Sequence, residues 1–364
     1  MNHVKRMMAL AIALVLFTGC TAGNSATGAG TTQPAAAAAS EASTQANEAA
    51  SEASTQANDA ATEGVPVNVL ALKGPTAMGM VHIMDDADNG NTEGFDYRFT
   101  IAASVDEVAP AIAKGDADIA AVPANLAAVL YNNTNGAVKV LDVNTLGVLY
   151  IVANGETVSS VSDLAGKTLY ASGKGATPEY ALNYILKAND IDPASGLTIE
   201  WKSEHAECVA ALVNDPEGVA LLPQPFVTTA MMQNESLQVA LDLTAEWEKV
   251  QGDEEVGSAL VTGVTIVRTA FLEEHPEAVA DFLARHQKSA EEAVTNVPET
   301  AALIGAYDIV PEPVAAKALP ACNIVCISGE LMEPLLGVYL QVLYDADPKA
   351  VGGTLPAEDF YVKE

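Results

Sequence analysis

The chain has 364 residues, with 48 acidic side chains against 17 basic ones and a formal net charge of −31 at pH 7. A field of that sign repels phosphate backbones and anionic bilayer surfaces, which excludes nucleic acid as a partner and any membrane contact that works through charge. Half of the residues are hydrophobic, and the stretch from Val65 to Glu364 exceeds one average domain, so a sizeable core divided between two lobes is expected.

The first nineteen residues divide into a basic start (Lys5, Arg6), an apolar run from Met7 to Phe17, and the small pair Thr18-Gly19 before Cys20. This pattern predicts an export signal at 1–19, because the apolar run is shorter than the ~20 residues a bilayer crossing needs. Leu16-Phe17-Thr18-Gly19-Cys20 resembles a bacterial lipoprotein cleavage site, although Phe17 is an unusual residue three places before the cysteine. The resemblance implies that Cys20 becomes a lipidated N-terminus and anchors the chain to the cell membrane from outside. Residues 20–64 hold Ala, Ser, Thr, Gln, Asn and Glu with no large apolar side chain between Thr21 and Gly64, too little to offset the entropy of folding. A tether is expected there. An eleven-residue unit recurs in it, beginning at Ser40 and again at Ser51.

Val67 to Leu72 is a Val/Leu-rich strand that breaks at Gly74-Pro75-Thr76, after which Ala77, Val81 and Met84 show helical spacing. A strand from Tyr97 to Ile101 and a helix through Val105, Val108, Ala109 and Ile112 follow. Asp118-Ile-Ala-Ala-Val-Pro123 then reads as a buried strand stopped by proline, with Asn125 opening the next helix. The same order returns a hundred residues later. Thr168 to Ala171 is a strand, Gly173-Lys-Gly-Ala-Thr-Pro178 a glycine-rich turn, and Ala181, Tyr184, Ile185 and Ala188 line a helix. Gly218-Val-Ala-Leu-Leu-Pro223 mirrors the proline-ended strand. Gly74 precedes Pro123 by 49 positions and Gly173 precedes Pro223 by 50, which marks two copies of one strand–turn–helix architecture. Between the copies runs the extended segment Thr145 to Val152, and after the second runs Ala259 to Val267; two such crossings make a hinge. The rest reads as helical, with Val279, Phe282, Leu283 and His286 on one face and Leu336, Tyr339, Leu340 and Leu343 on another, expected to pack on the first lobe. The predicted division is 65–146 plus 262–364 for lobe I and 147–261 for lobe II.

In open α/β sheets, ligands settle beyond the carboxyl ends of the strands, where helix N-termini present N–H groups. That edge carries Gly74, Pro75, Thr76, Ala77, Met78, Pro123 and Asn125 in lobe I. In lobe II it carries Gly173, Lys174, Gly175, Ala176, Thr177 and Gln224. These are the predicted ligand-binding residues. Turn and cap chemistry accounts for any one of the four turns alone, but four at matched positions point to a shared cleft. Tyr150, Tyr180, Phe226 and Trp247 are further candidate walls.

Leu146-Gly-Val-Leu-Tyr-Ile-Val152, Gly173-Lys-Gly-Ala-Thr-Pro-Glu-Tyr180 and Leu221-Leu-Pro-Gln-Pro-Phe226 resemble the substrate-binding lipoproteins of ABC transporters, and within those the nitrate, sulfonate and thiamine-precursor group. The likeness runs from about Val67 to Tyr344. It implies a two-lobed α/β fold of the periplasmic-binding-protein type 2 class, with mixed, mostly parallel sheets and hinge strands between the lobes. It also implies a monomer that closes over a small solute and is read by an ABC permease and its ATPase, with no cofactor. Enzymes of pyrimidine-synthase-like or chorismate-derived-product type share this fold, and a ligand sensor without transport would share the anchor. Against an enzyme stand the scattered His82, His205, His275 and His286, which fall into no Ser/His/Asp or metal spacing.

Three local patterns fail as chemistry. Glu204-His205-Ala-Glu207-Cys208 has alternating polar residues that a helix would point apart, and reads as a solvated helix start. Asp85-Asp86-Ala-Asp88-Asn89-Gly90 lacks the terminal glutamate of a calcium loop and reads as an acidic turn. Gly173-Lys-Gly-Ala-Thr lacks the spacing of a nucleotide phosphate loop. Beyond Cys20 the chain has Cys208, Cys322 and Cys326; a helical i, i+4 placement of the last two is at the edge of disulfide reach, and free buried thiols are expected. Helix N-termini favour a polar or anionic group while the negative field opposes a highly charged one, so the expected solute is a small neutral or singly anionic organic molecule.

Overall fold

The short Val- and Ala-rich runs become strands covered on both faces. β3 (Ile119–Pro123) and β8 (Val219–Pro223) leave scarcely any residue exposed, the signature of parallel sheet interiors. The computed structural model describes residues 64–155, 158–251 and 259–363; the signal, Cys20 and the tether up to residue 63 lie outside them.

The first sheet begins with β1 (Val65–Leu72), followed by the short helices α1 (Pro75–Met78) and α2 (Val81–Asp88) and by β2 (Phe95–Ala102). Helix α3 (Val108–Lys114) leads to β3, then α4 (Ala124–Asn133) and β4 (Val138–Leu146). The chain crosses to a second sheet through Gly147 and Val148. There it forms β5 (Leu149–Asn154), β6 (Thr168–Ser172), α5 (Thr177–Ala188), β7 (Thr198–Lys202) and α6 (His205–Asn214). After β8 come α7 (Phe226–Gln233), β9 (Leu237–Asp242) and α8 (Leu243–Gln251). β10 (Val261–Arg268) returns to the first sheet and is followed by α9 (Thr269–Glu274), α10 (Pro276–Thr295), α11 (Val297–Ala306), α12 (Glu312–Ala318), β11 (Ile324–Ser328) and α13 (Met332–Ala346).

The sheet orders are β11-β4-β10-β3-β1-β2 and β7-β6-β8-β5-β9. Within them β2-β1-β3 and β7-β6-β8 are matching parallel trios in the same relative order, so the duplication read from the two glycine-to-proline spacings is a duplication of topology. The hinge strands add antiparallel neighbours, β10 beside β3 and β5 beside β8. The mixed character of both sheets comes from these returning strands. Together the two sheets and their covering helices make the two-lobed periplasmic-binding-protein fold.

At the crossing, a Cβ on Gly147 would overlap the Thr244 hydroxyl of α8, so the chain passes there only as glycine. Asn323 fixes the crossing from the other side, its side-chain amide donating to the Gly147 carbonyl and its own carbonyl accepting from the Leu146 N–H.

Several local expectations change in three dimensions. The helix expected after Gly74 is split at Gly79-Met80, where the backbone passes so near β11 that a Cβ on Gly79 would stand 2.9 Å from the Ile324 side chain. Asp85 to Asp88 form the last turn of α2 rather than a loop; Asp86 pairs with Arg285 at 3.3 Å and Asp88 accepts from Tyr307 at 2.9 Å. Cys322 precedes β11 and Cys326 lies within it, so their spacing is extended rather than helical; both are free, as is Cys208, and Cys326 is only partly buried. Helix α13 packs on more than the first lobe. Its Tyr339 ring stands 5.5 Å from Trp247 of α8 and its hydroxyl donates to Thr177 of α5. Among the described residues no helix is long and apolar enough to cross a membrane.

Candidate functional site

The carboxyl ends of β1, β3, β6, β7 and β8 face one crevice between the two sheets, and three adjoining cavities occupy it. The inner one, about 100 Å³, is walled by Gly74, Pro75, Thr76, Pro123 and Thr145 from the first lobe and by Thr177, Pro178, Pro223 and Phe226 from the second. Beside it a space of about 300 Å³ lies between Lys73, Ala103 and Asp308–Pro311 on one side and α6 with Phe226 on the other. A third, about 220 Å³, lies between Ala103–Asp106 and Ser172–Lys174 with Lys202–His205.

His205 borders all three cavities. It is the first residue of α6, three positions beyond the end of β7, so the strand-to-helix turn delivers its ring into the crevice. Its Nδ1 is in hydrogen-bond contact with the hydroxyl of Ser172, which ends β6 and is buried, and its ring packs on Phe226 with centroids 5.1 Å apart. Burial holds the imidazole down to about 4, so it is neutral at physiological pH and offers the crevice one ring nitrogen as a neutral hydrogen-bonding group. Charge is otherwise sparse at the inner cavity, where Lys73 is the one charged wall among the described residues. The third cavity mixes Lys174 and Lys202 with Asp106 and Glu204.

The floor of the crevice is set by a close approach. Gly263 of β10 lies under Thr76, whose Cγ2 would be 2.7 Å from any Cβ placed there, and Asn144 closes the other side. Thr76 in turn donates to the Leu72 carbonyl at 2.8 Å, which ties the turn to the end of β1.

A profile of the phosphonate ABC-transporter periplasmic substrate-binding proteins matches residues 89–293, more than half of the chain. The chain belongs to that family. Among solved structures it is similar to an ABC transporter protein from Parabacteroides distasonis (21% identity, TM-score 0.66, covering 82% of this chain and 99% of the other). It is similar also to the alkanesulfonate-binding protein SsuA of Xanthomonas axonopodis pv. citri bound to MOPS (11%, 0.62, 83% and 97%) and to the periplasmic nitrate-binding protein NrtA of Synechocystis (14%, 0.54, 69% and 69%). At these identities the structures establish the fold. A search of curated protein sequences gives no significant match.

In this substrate-binding protein the sequence-predicted residues separate into three groups. Gly74, Pro75, Thr76, Pro123 and Thr177 wall the inner cavity, and Gly173 and Lys174 wall the third. Asn125, Gly175 and Ala176 do other work. The fully buried Asn125 amide donates to the carbonyls of Gly175 in the second lobe (3.2 Å) and Ala350 in the first (3.1 Å), while its Oδ1 accepts from Thr177 at 3.4 Å. Ala176 precedes α5 as its buried cap. Ala77 and Met78 lie in the lobe I core, and their N–H groups bond back to the Gly74 carbonyl, so they support the turn from behind. Gln224 is also turned inward: its N–H donates to Val148 at 3.0 Å and its Oε1 accepts from the Thr228 hydroxyl at 2.9 Å. Of the four aromatics, Phe226 is a wall; Trp247 is fully buried, and Tyr150 and Tyr180 pack against the cores.

Lys73, Thr145, Thr262 and above all His205 were missed. The Glu204–Cys208 stretch reads as a solvated helix start from its polarity alone, whereas His205 sits at the carboxyl edge of β7, the neighbour of β6. The Ser172–His205 contact invites a nucleophile-and-base reading, but Ser172 is buried behind the ring and no carboxylate among the described residues hydrogen-bonds the imidazole to orient it.

Proposed function

We propose that this substrate-binding protein is lipid-anchored through Cys20 and holds a small neutral or singly anionic organic solute between lobe I (65–146 plus 262–364) and lobe II (147–261), without altering it. The observation that carries the reading is the set of three cavities meeting at His205 along a crevice whose two walls come from different sheets. Glycine and proline turns bring backbone close to the cavity, the Thr76, Thr145, Thr177 and Thr262 side chains stand at its wall, and Phe226 with the prolines gives an apolar face.

The charge pattern narrows the solute. A doubly charged phosphonate at the inner cavity would meet Lys73 as its one countercharge beside a neutral His205, inside a strongly acidic protein. A sulfonate or a flat heterocycle with one acceptor fits that inventory better. Transport, with a permease and ATPase as partners, follows from the family, whose members are substrate-binding proteins.

Mass spectrometry of the chain purified under native conditions identifies any solute it carries. Thermal-shift titration with an alkanesulfonate, an alkylphosphonate, nitrate and a pyrimidine then ranks the classes. The expected result is a rise in melting temperature with the monoanion or the heterocycle. If nothing co-purifies and no candidate raises the melting temperature, capture of this solute class is wrong.

A further inference from the structure

Away from the crevice, on the far side of β4, three different metal-ligating groups meet inside lobe I. Asp142 of β4 and His286 of α10 are both fully buried, with His286 Nδ1 3.1 Å from Asp142 Oδ2; Cys326 of β11 brings its Sγ to 3.9 Å from the same Nδ1. The carboxylate oxygen, ring nitrogen and sulfur lie within 4.8 Å of one another.

The geometry points to a zinc-type metal site in which Asp142 Oδ2, His286 Nδ1 and Cys326 Sγ are the ligands. Tetrahedral zinc, with bonds of about 2.0 Å to nitrogen and oxygen and about 2.3 Å to sulfur, sets ligand edges of about 3.3 Å for N···O and about 3.6 Å for N···S. The separations here differ from those by a few tenths of an ångström, one short and one long. A mixed oxygen, nitrogen and sulfur set suits a borderline ion such as Zn²⁺ rather than Ca²⁺ or Mg²⁺, which take oxygen.

The surrounding structure holds the set in place. Thr265, directly across from Asp142 on β10, donates to Oδ1 at 3.0 Å and leaves Oδ2 for the ion. β11 pairs with β4 irregularly between Ile324 and Ile327, and Cys326 sits in that irregularity, where a bulge re-aims a side chain. The Nε2 of His286 is enclosed without a hydrogen-bond partner beside Gly79, so the ring can be approached by an ion only through Nδ1. Cys326 is the one partly exposed member and gives the ion its way in and a place for a water as fourth ligand. The ion would fasten the edge strand β11 and helix α10 to β4, which leads to the hinge.

The test uses the full chain after chelator treatment, titrated with Zn²⁺ and separately with Co²⁺ as a spectroscopic probe. One equivalent of Zn²⁺ should be retained through dialysis and raise the melting temperature, and the Co²⁺ form should show sulfur-to-cobalt charge transfer with tetrahedral visible bands. Cys326→Ala should fold as the metal-free parent does, lose the charge-transfer band and bind Zn²⁺ about a hundredfold more weakly. An unmoved melting temperature with no charge transfer overturns the site and leaves a hydrogen-bonded core cluster, and equal affinity in Cys326→Ala overturns it by placing the ion elsewhere.

Discussion

The turn at Gly74 and the turn at Gly173 occupy equivalent positions after equivalent strands, yet the molecule uses them differently. The first leads into a helix of four residues that is broken at once, and its N–H groups are largely consumed by the Gly74 carbonyl, so it meets the cavity as a rigid wall braced by β10. The second opens the twelve-residue α5 and divides its residues between two tasks. Gly173 and Lys174 face a cavity, while Gly175 and Thr177 join the Asn125 and Tyr339 links to the first lobe. A duplicated element thus became a fixed wall on one side and a latch on the other.

Substitutions can separate the two roles. The largest effect is expected from Gly263→Ala, whose Cβ would overlap Asn144 and press on Thr76; chemical denaturation should show a loss of about 3 kcal/mol together with weakened capture. Retained stability would mean that the first turn is not braced from below. Asn125→Ala removes the amide that satisfies Gly175 and Ala350 and should cost about 2 kcal/mol. It should also raise the radius of gyration in solution scattering, and an unchanged radius would remove the latch from the second turn.

Thr177→Val should leave folding intact and weaken solute binding about tenfold, roughly 1.4 kcal/mol, because the hydroxyl shared by the inner cavity, Asn125 and Tyr339 is lost. An unchanged dissociation constant would take that turn out of the site. The smallest effect concerns pH. The folded imidazole of His205 titrates at about 4 because its half-buried ring is desolvated, whereas an unfolded one titrates at about 6.5, so between those values the unfolded chain binds the extra proton and stability falls as pH falls. His205→Gln should therefore flatten the stability profile across that window by about 1 kcal/mol. A slope identical to that of the parent would mean that His205 is solvated and not a wall of the crevice.

Much of the fold was legible because short buried strands, glycine turns and proline stops leave local marks that repeat, and the near-equal spacings of Gly74–Pro123 and Gly173–Pro223 reported a repeated topology directly. The remaining strands were not legible. β9 is a short exposed-edge strand with a weak alternating pattern, and β11 owes its extended form to pairing with β4 rather than to its own sequence. Within the crevice, turn residues showed themselves by type, but whether a turn faces the cavity or the opposite lobe depends on packing; Asn125, Ala77 and Met78 look identical to wall residues until the lobes are assembled. His205 was hidden by polar neighbours, and Asp142, His286 and Cys326 are too far apart along the chain for any spacing to unite them.

A crystal structure of the natively purified chain with the solute it carries tests the central claim most directly. Density for the solute should lie against Thr76, Phe226 and the free ring nitrogen of His205, with both turns in contact. Solute bound on another face, with that crevice left to water, would contradict the account.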